Sequence, residues 1–191
     1  MKVGLYFGSF NPIHHGHLII ASHILSNYNL SQVWFVVSPQ NPLKHSSALL
    51  NEYHRFYMVQ LALEGEKRMR AIDIEFKLPR PSYTIDTLTY LQEKYPNNLF
   101  SVIMGSDSFQ NISRWKKYKQ ILKNYLVYVY LRSGTTELIP YEDAEIIKVK
   151  APMLEISATQ IRNNIQQEKS IRYLVPENVR EEIEKNGYYK T

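Results

Sequence analysis

The chain of 191 residues has no cysteine, which excludes disulfides, thiol catalysis and thiolate metal sites and is neutral about compartment. No apolar run approaches the roughly 20 residues that span a bilayer, so no membrane partner is expected. The N-terminus carries a single lysine and passes into Gly8-Ser9-Phe10-Asn11-Pro12 without a signal-peptide h-region, which makes the cytoplasm the default expectation. Neither G-x-G-x-x-G nor G-x-x-x-x-G-K-[ST] occurs, so any phosphate chemistry must rest on something other than a dinucleotide fingerprint or a Walker loop. Internal repeats and low-complexity tracts are also missing.

What is present is an ordinary globular balance, 44% hydrophobic and 21% charged, with a formal charge of +5 and a pI near 9.2. Positive charge suits an anionic partner, and both nucleic acid and small phosphorylated metabolites qualify. The densest basic run, Arg114-Trp115-Lys116-Lys117-Tyr118-Lys119, is short and has no RNP-type aromatic pattern, which favours the metabolites and an expectation of no nucleic-acid partner. The length predicts one domain over 1–191 with a C-terminal helical part at about 157–191, and the sequence leaves the oligomeric state open.

The organising stretch runs from Leu5 to His17. Val3, Leu5 and Phe7 alternate as in a strand, whereas Leu18, Ile19, Ala21, Ile24 and Leu25 recur at helical spacing, so the period switches between Gly8 and Gly16. A glycine at a strand end lets a ligand approach the backbone, and the following helix N-terminus offers unpaired N–H groups to an anion. His14 and His17 fall three apart at that entrance, with Gly16 adding no Cβ between them. They suit hydrogen bonding to a charged transition state. A zinc site would need further ligands at ligand spacing, so no protein-held metal is expected.

Strand and helix signals alternate along the rest of the chain. Val33 to Val37 is a β-rich apolar run ending at Ser38-Pro39, and Tyr53, Phe56, Tyr57, Val59, Gln60 and Leu63 outline a second helix. A third strand is expected over Met69 to Ile74, then a helix after Ser82-Tyr83-Thr84 with Ile85, Leu88 and Leu91 on one face, stopping near Tyr95-Pro96. Leu99 to Met104 is a strand running into Gly105-Ser106-Asp107. A helical stretch from Ser113 to Lys123, strands over Tyr125 to Leu131 and Ile146 to Val149, a helix entered at Ser157 and a closing helix from Pro176 to Lys185 complete the reading. The alternation predicts an α/β fold: an open, mostly parallel twisted sheet with helices on both faces. Ligands of such sheets bind beyond the carboxyl ends of the strands, where the turns at Gly8 to His17, Ser38 to Lys44, Gly105 to Asp107 and Arg132 to Gly134 would converge.

The run GSFNPIHHGH resembles the (T/S)-F-D/N-P-x-H-x-G-H signature of the nucleotidylyltransferase superfamily, with Asn11 where Asp is frequent and Phe7 where many members have Gly. SPQNPLK at Ser38 to Lys44, SYTIDTL at Ser82 to Leu88, GSDSF at Gly105 to Phe109 with Trp115 beyond, ISATQIR at Ile156 to Arg162 and RYLVPENV at Arg172 to Val179 extend it over nearly the whole chain. Together they resemble the bacterial nicotinate-nucleotide adenylyltransferase family. That resemblance implies a Rossmann-like nucleotidylyltransferase fold and transfer of the adenylyl group of ATP to nicotinate mononucleotide, with Mg2+ bound with ATP.

The residue roles are implied the same way. His14, His17 and Lys44 would act on the triphosphate, and Gly8, Ser9, Phe10, Gly16, Gly105, Asp107, Ile156, Ser157, Thr159 and Arg162 would seat ATP. Thr84, Trp115 and Arg132 would receive the acceptor, at its carboxylate, pyridine ring and phosphate respectively. Plainer readings stand beside these: Ser157 as a helix N-cap, Asp107 as a turn-former, Lys44 as a solvated loop lysine and Trp115 as a partly buried anchor.

Overall fold

A computed structural model describes residues 1–40, 49–131, 140–152 and 154–190. Six strands, β1 (Lys2–Gly8), β2 (Gln32–Val37), β3 (Met69–Ile72), β4 (Leu99–Gly105), β5 (Val127–Tyr130) and β6 (Ile146–Val149), form one sheet in the order β3-β2-β1-β4-β5-β6. Every neighbouring pair is parallel. The chain therefore winds outward in one direction from β1 to β3 and in the other from β4 to β6. Between β1 and β4 lies the switch point at which open α/β sheets bind ligands.

The strands are buried on both faces because alternate residues feed two cores. On one face Val33, Phe35 and Val37 pack with Ala21 and Ile24 of α1 (His15–Asn27), Met58 and Val59 of α2 (Glu52–Ala62), Ile161 of α6 (Ala158–Gln166) and Val179 of α7 (Glu177–Asn186). On the other, Leu5, Trp34 and Val102 pack with Leu88 and Leu91 of α3 (Thr84–Lys94), Phe109 of α4 (Ser106–Gln110) and Ile121 of α5 (Tyr118–Asn124). No described helix is long and apolar enough to cross a membrane.

Several boundaries differ from expectation for local reasons. The third strand ends at Ile72, because Ile74–Lys77 turns into a 3-10 helix. The stretch Ser113 to Lys123 is not one helix: a 3-10 turn at Ile112–Arg114 precedes α5, and Lys117 between them takes the left-handed conformation at φ 53°. The fifth strand is trimmed to Val127–Tyr130. In α2 the periodicity misleads, since Tyr53 and Tyr57 face solvent while Arg55, Met58 and Val59 are buried.

Candidate active site

The entrance to α1 is shaped by its histidines. His14 caps the helix in an extended conformation, and its backbone N–H donates to Nδ1 of His17 at 3.3 Å. A neutral imidazole that accepts at Nδ1 carries its proton on Nε2, so His17 presents an Nε2–H donor. The two rings stack at 3.7 Å. Gly16 makes this possible, because a Cβ there would lie 3.0 Å from the His14 ring. Of the first-turn amides, His15 N–H donates to the Leu174 carbonyl at 3.0 Å, and those of His17 and Leu18 turn back to the His14 carbonyl. The Gly16 N–H keeps no protein acceptor among the described residues, and sits where the helix dipole favours an anion.

These groups open on a cleft of about 580 Å³ at the carboxyl ends of β1 and β4. Gly8, Ser9, Phe10, His14 and His17 form its β1 wall, and Gly105, Thr84 and Trp115 its β4 wall. Ser157, Thr159 and Arg162 close it from α6, while a side pocket of about 40 Å³ beside both histidines reaches Gly16 and Ile156. The structure thus brings these candidates together. Asp107 does not join them: its side chain is exposed and outside the cleft lining. Lys44 and Arg132 lie outside the described residues.

Two glycines have a packing reason beside the one expected. The space of a Cβ at Gly8 is taken by the Phe10 ring, 2.8 Å away, and at Gly105 by the Tyr130 ring, 3.0 Å away. Aromatic walls by themselves already require glycine at both strand ends. Phe10 is held at φ 46°, in the left-handed region, to deliver its ring there.

The α6 entrance is capped as read, with Gln160 N–H donating to Ser157 Oγ at 3.2 Å. Arg162 spans the cleft edge, donating from Nη1 to the Asn11 carbonyl at 2.7 Å and from Nη2 to Thr159 Oγ1 at 3.2 Å. Across the cleft, the amides of Asp86 and Thr87 fold back onto the Tyr83 carbonyl at 2.9 and 3.2 Å. The Thr84 and Ile85 amides therefore remain as the first-turn donors of α3 with no acceptor among the described residues. Asp86 is drawn to Lys116 Nζ at 2.8 Å and does not line the cleft. Trp115 is half-buried, one side against the core and one on the cleft.

Sequence reasoning missed two buried charged residues beneath the site. Arg55 is fully buried and donates only to carbonyls: Nε to Leu50 at 2.7 Å, Nη1 to Ser38 at 2.8 Å and to Ser9, and Nη2 to Pro39 at 2.8 Å. Burial pulls its pKa down to about 10, still charged at neutral pH. It staples the turns after β1 and β2 together and leaves a positive charge behind them. The second is Glu75, 2% exposed, whose carboxyl accepts from Ser82 Oγ and Thr87 Oγ1, both at 2.9 Å. Burial raises its pKa above the ordinary range, against the opposing effect of its hydroxyl partners. The available signal for Arg55 was an arginine spaced i, i+3, i+4 with Met58 and Val59, while Glu75 carried none of its own.

Comparison with known proteins gives a family and a fold. Residues 5–164 match the cytidylyltransferase-like family model. A Cytophaga hutchinsonii protein named "Probable nicotinate-nucleotide adenylyltransferase" is 51% identical over 189 residues, 99% of this chain and 98% of its own. A Flavobacterium psychrophilum protein of the same name is 48% identical over the full length of both. The solved structure of Plasmodium falciparum nicotinic acid mononucleotide adenylyltransferase complexed with NaAD superposes with a TM-score of 0.79 at 20% identity, covering 98% of this chain and 97% of that one, a likeness of fold.

Proposed function

The chain belongs to the nicotinate-nucleotide adenylyltransferases, within the cytidylyltransferase-like family, and from that premise we propose how its cleft performs the reaction. The enzyme transfers the adenylyl group of ATP to nicotinate mononucleotide, giving deamido-NAD and pyrophosphate. The acceptor phosphate attacks the α-phosphorus as pyrophosphate departs on the opposite side. Such a reaction needs no protein nucleophile; it needs alignment and donors aimed at spreading negative charge.

The observation that carries the reading is the His14–His17 pair at the α1 entrance, with the His17 tautomer set by the His14 amide. His17 Nε2–H, the Gly16 amide and the dipole of α1 supply donors for the α- and β-phosphates. Ser157, Thr159 and Arg162 hold ATP from the α6 side, and Lys44, by its motif, acts on the β,γ end. Thr84 and Trp115 receive the nicotinate carboxylate and ring, with Arg132 assigned to the acceptor phosphate by its motif alone. Asp107, outside the lining, is left to support its turn.

Among the described residues no three His or carboxylate side chains cluster as metal ligands. Magnesium is read as arriving with ATP, held by phosphate oxygens and water, the ligands this hard cation favours. We also read 1–191 as a single domain, since the sheet binds Lys2 to Val149 and α6 and α7 pack on the same core.

The deciding assay is pyrophosphate release from ATP with nicotinate mononucleotide, nicotinamide mononucleotide or phosphopantetheine. Turnover with the first is expected. Turnover confined to phosphopantetheine would assign the cleft to a different branch of the superfamily.

A further inference from the structure

Two hydroxyls donate to the Glu75 carboxyl at the floor of the cleft, and a third acts on it from the opposite side. Ser82 and Thr87 flank Thr84 at the entrance to α3. The Ser38 hydroxyl, which follows β2 directly, lines the same cleft and acts electrostatically on the carboxyl from the other side. Ser38 is itself fixed to the triphosphate side: its N–H donates to the Gly8 carbonyl at 2.9 Å, and its carbonyl accepts from the Arg55 nitrogen that also serves Ser9. Hydrogen bonds thus tie Ser38 and Arg55 to the turn after β1 and Glu75 to the α3 entrance, and Ser38 and Glu75 meet in the cleft lining between them.

Stability alone is a poor reason for this arrangement. No cation pairs with Glu75 among the described residues, and a buried carboxyl without one costs more than an apolar side chain of similar volume. What the carboxyl uniquely provides is two oxygens that accept from separate elements at once. We propose that Glu75 is a positioning residue that fixes the acceptor subsite on α3 relative to the triphosphate subsite at the β1 and β2 ends, and so sets the in-line approach of the two reacting phosphates. The inference rests on the adenylyl-transfer reading above.

A residue that binds substrate changes KM, whereas one that sets the angle between two bound substrates changes kcat with both KM values kept. The test is steady-state kinetics of Glu75→Gln and Glu75→Leu with ATP and nicotinate mononucleotide, alongside thermal unfolding. The expected kcat losses are about tenfold for Gln, whose amide still bridges two hydroxyls, and about a hundredfold for Leu, with each KM within roughly threefold of wild type. If Leu does not fold, Gln and a double-mutant cycle decide: Ser38→Ala and Thr87→Val, which act through Glu75 from opposite sides, should combine in kcat with at least a threefold departure from multiplicativity. Wild-type kcat in the folded Glu75 variants, a change in one KM alone, or strictly multiplicative effects in the cycle overturns the assignment. A wild-type enzyme that releases no pyrophosphate with nicotinate mononucleotide overturns the functional reading and this inference with it, whereas wild-type turnover with unaffected variants removes only Glu75.

Discussion

His17 is proposed as a donor because its neighbour's backbone decides where its proton sits. With Nδ1 accepting from the His14 amide, the Nε2–H is set before any substrate arrives. His17→Ala should lower kcat by about a hundredfold or more, the roughly 3 kcal/mol that a preorganised donor to a charged transition state supplies. Far-UV circular dichroism should stay wild-type, and a correctly folded mutant with wild-type kcat would take His17 out of the mechanism. The histidines were legible because a three-residue spacing at a period switch is a local pattern. Arg55 and Glu75 were not, because what defines them is their partners, which lie 12 to 46 residues or so away in the chain for the contacts that matter most. Glu75 carries its own titration test. Its folded pKa is raised, so above the unfolded value of about 4.5 the unfolded chain binds fewer protons at this site and stability falls as pH rises. In Glu75→Gln that contribution vanishes. Denaturant titrations of the two proteins from pH 4.5 upward should show a less negative slope of stability against pH in the variant, and parallel slopes would mean that burial does not perturb Glu75.

At the scale of elements, boundaries were legible wherever a side chain makes its own signal. Ser157 caps α6, Tyr95 ends α3 and Gly187, at φ 65°, ends α7, all as the residue types suggest. The break between Ile112–Arg114 and α5 was hidden, because nothing in the residue types marks Lys117 as left-handed. Helix α6 links its own cap to the turn after β1. Its Arg162 donates to both Thr159 and the carbonyl of Asn11, so one side chain ties the helix entrance to the β1 turn. Arg162→Ala should raise the KM for ATP, lower kcat, or both, while the acceptor KM moves less. Arg162→Lys should recover little, since a point charge cannot replace a fork that spans two acceptors. Ser157→Ala should cost about 1 kcal/mol of stability from the lost cap, read in thermal unfolding. Acceptor binding that falls while ATP binding is kept would place α6 on the wrong side of the reaction.

On the scale of the whole molecule, the strand order divides the work. Winding outward from β1 in one direction and from β4 in the other leaves a cleft whose walls belong to different runs of sequence, with His14 and His17 on the β1 side and Thr84 and Trp115 across from them. Acceptor choice should therefore be separable from ATP binding. The first turn of α3 offers the Thr84 and Ile85 amides at the positive end of its dipole, while Lys116 engages Asp86, whose charge would otherwise face the same turn. In the proposed reading a nicotinate carboxylate would accept from both amides with charge assistance. A nicotinamide must turn its carbonyl to them and leave its NH2 to find another acceptor, at a cost of roughly 1 to 3 kcal/mol if it is buried unpaired. The expected outcome is a preference for nicotinate mononucleotide of at least about tenfold in kcat/KM, equivalent to about 1.4 kcal/mol, with the KM for ATP the same for either acceptor. Lys116→Ala, which releases Asp86, should narrow that preference by weakening the acid more than the amide. Equal use of both acceptors by the wild type would remove the α3 entrance from carboxylate recognition and leave the triphosphate side as it stands.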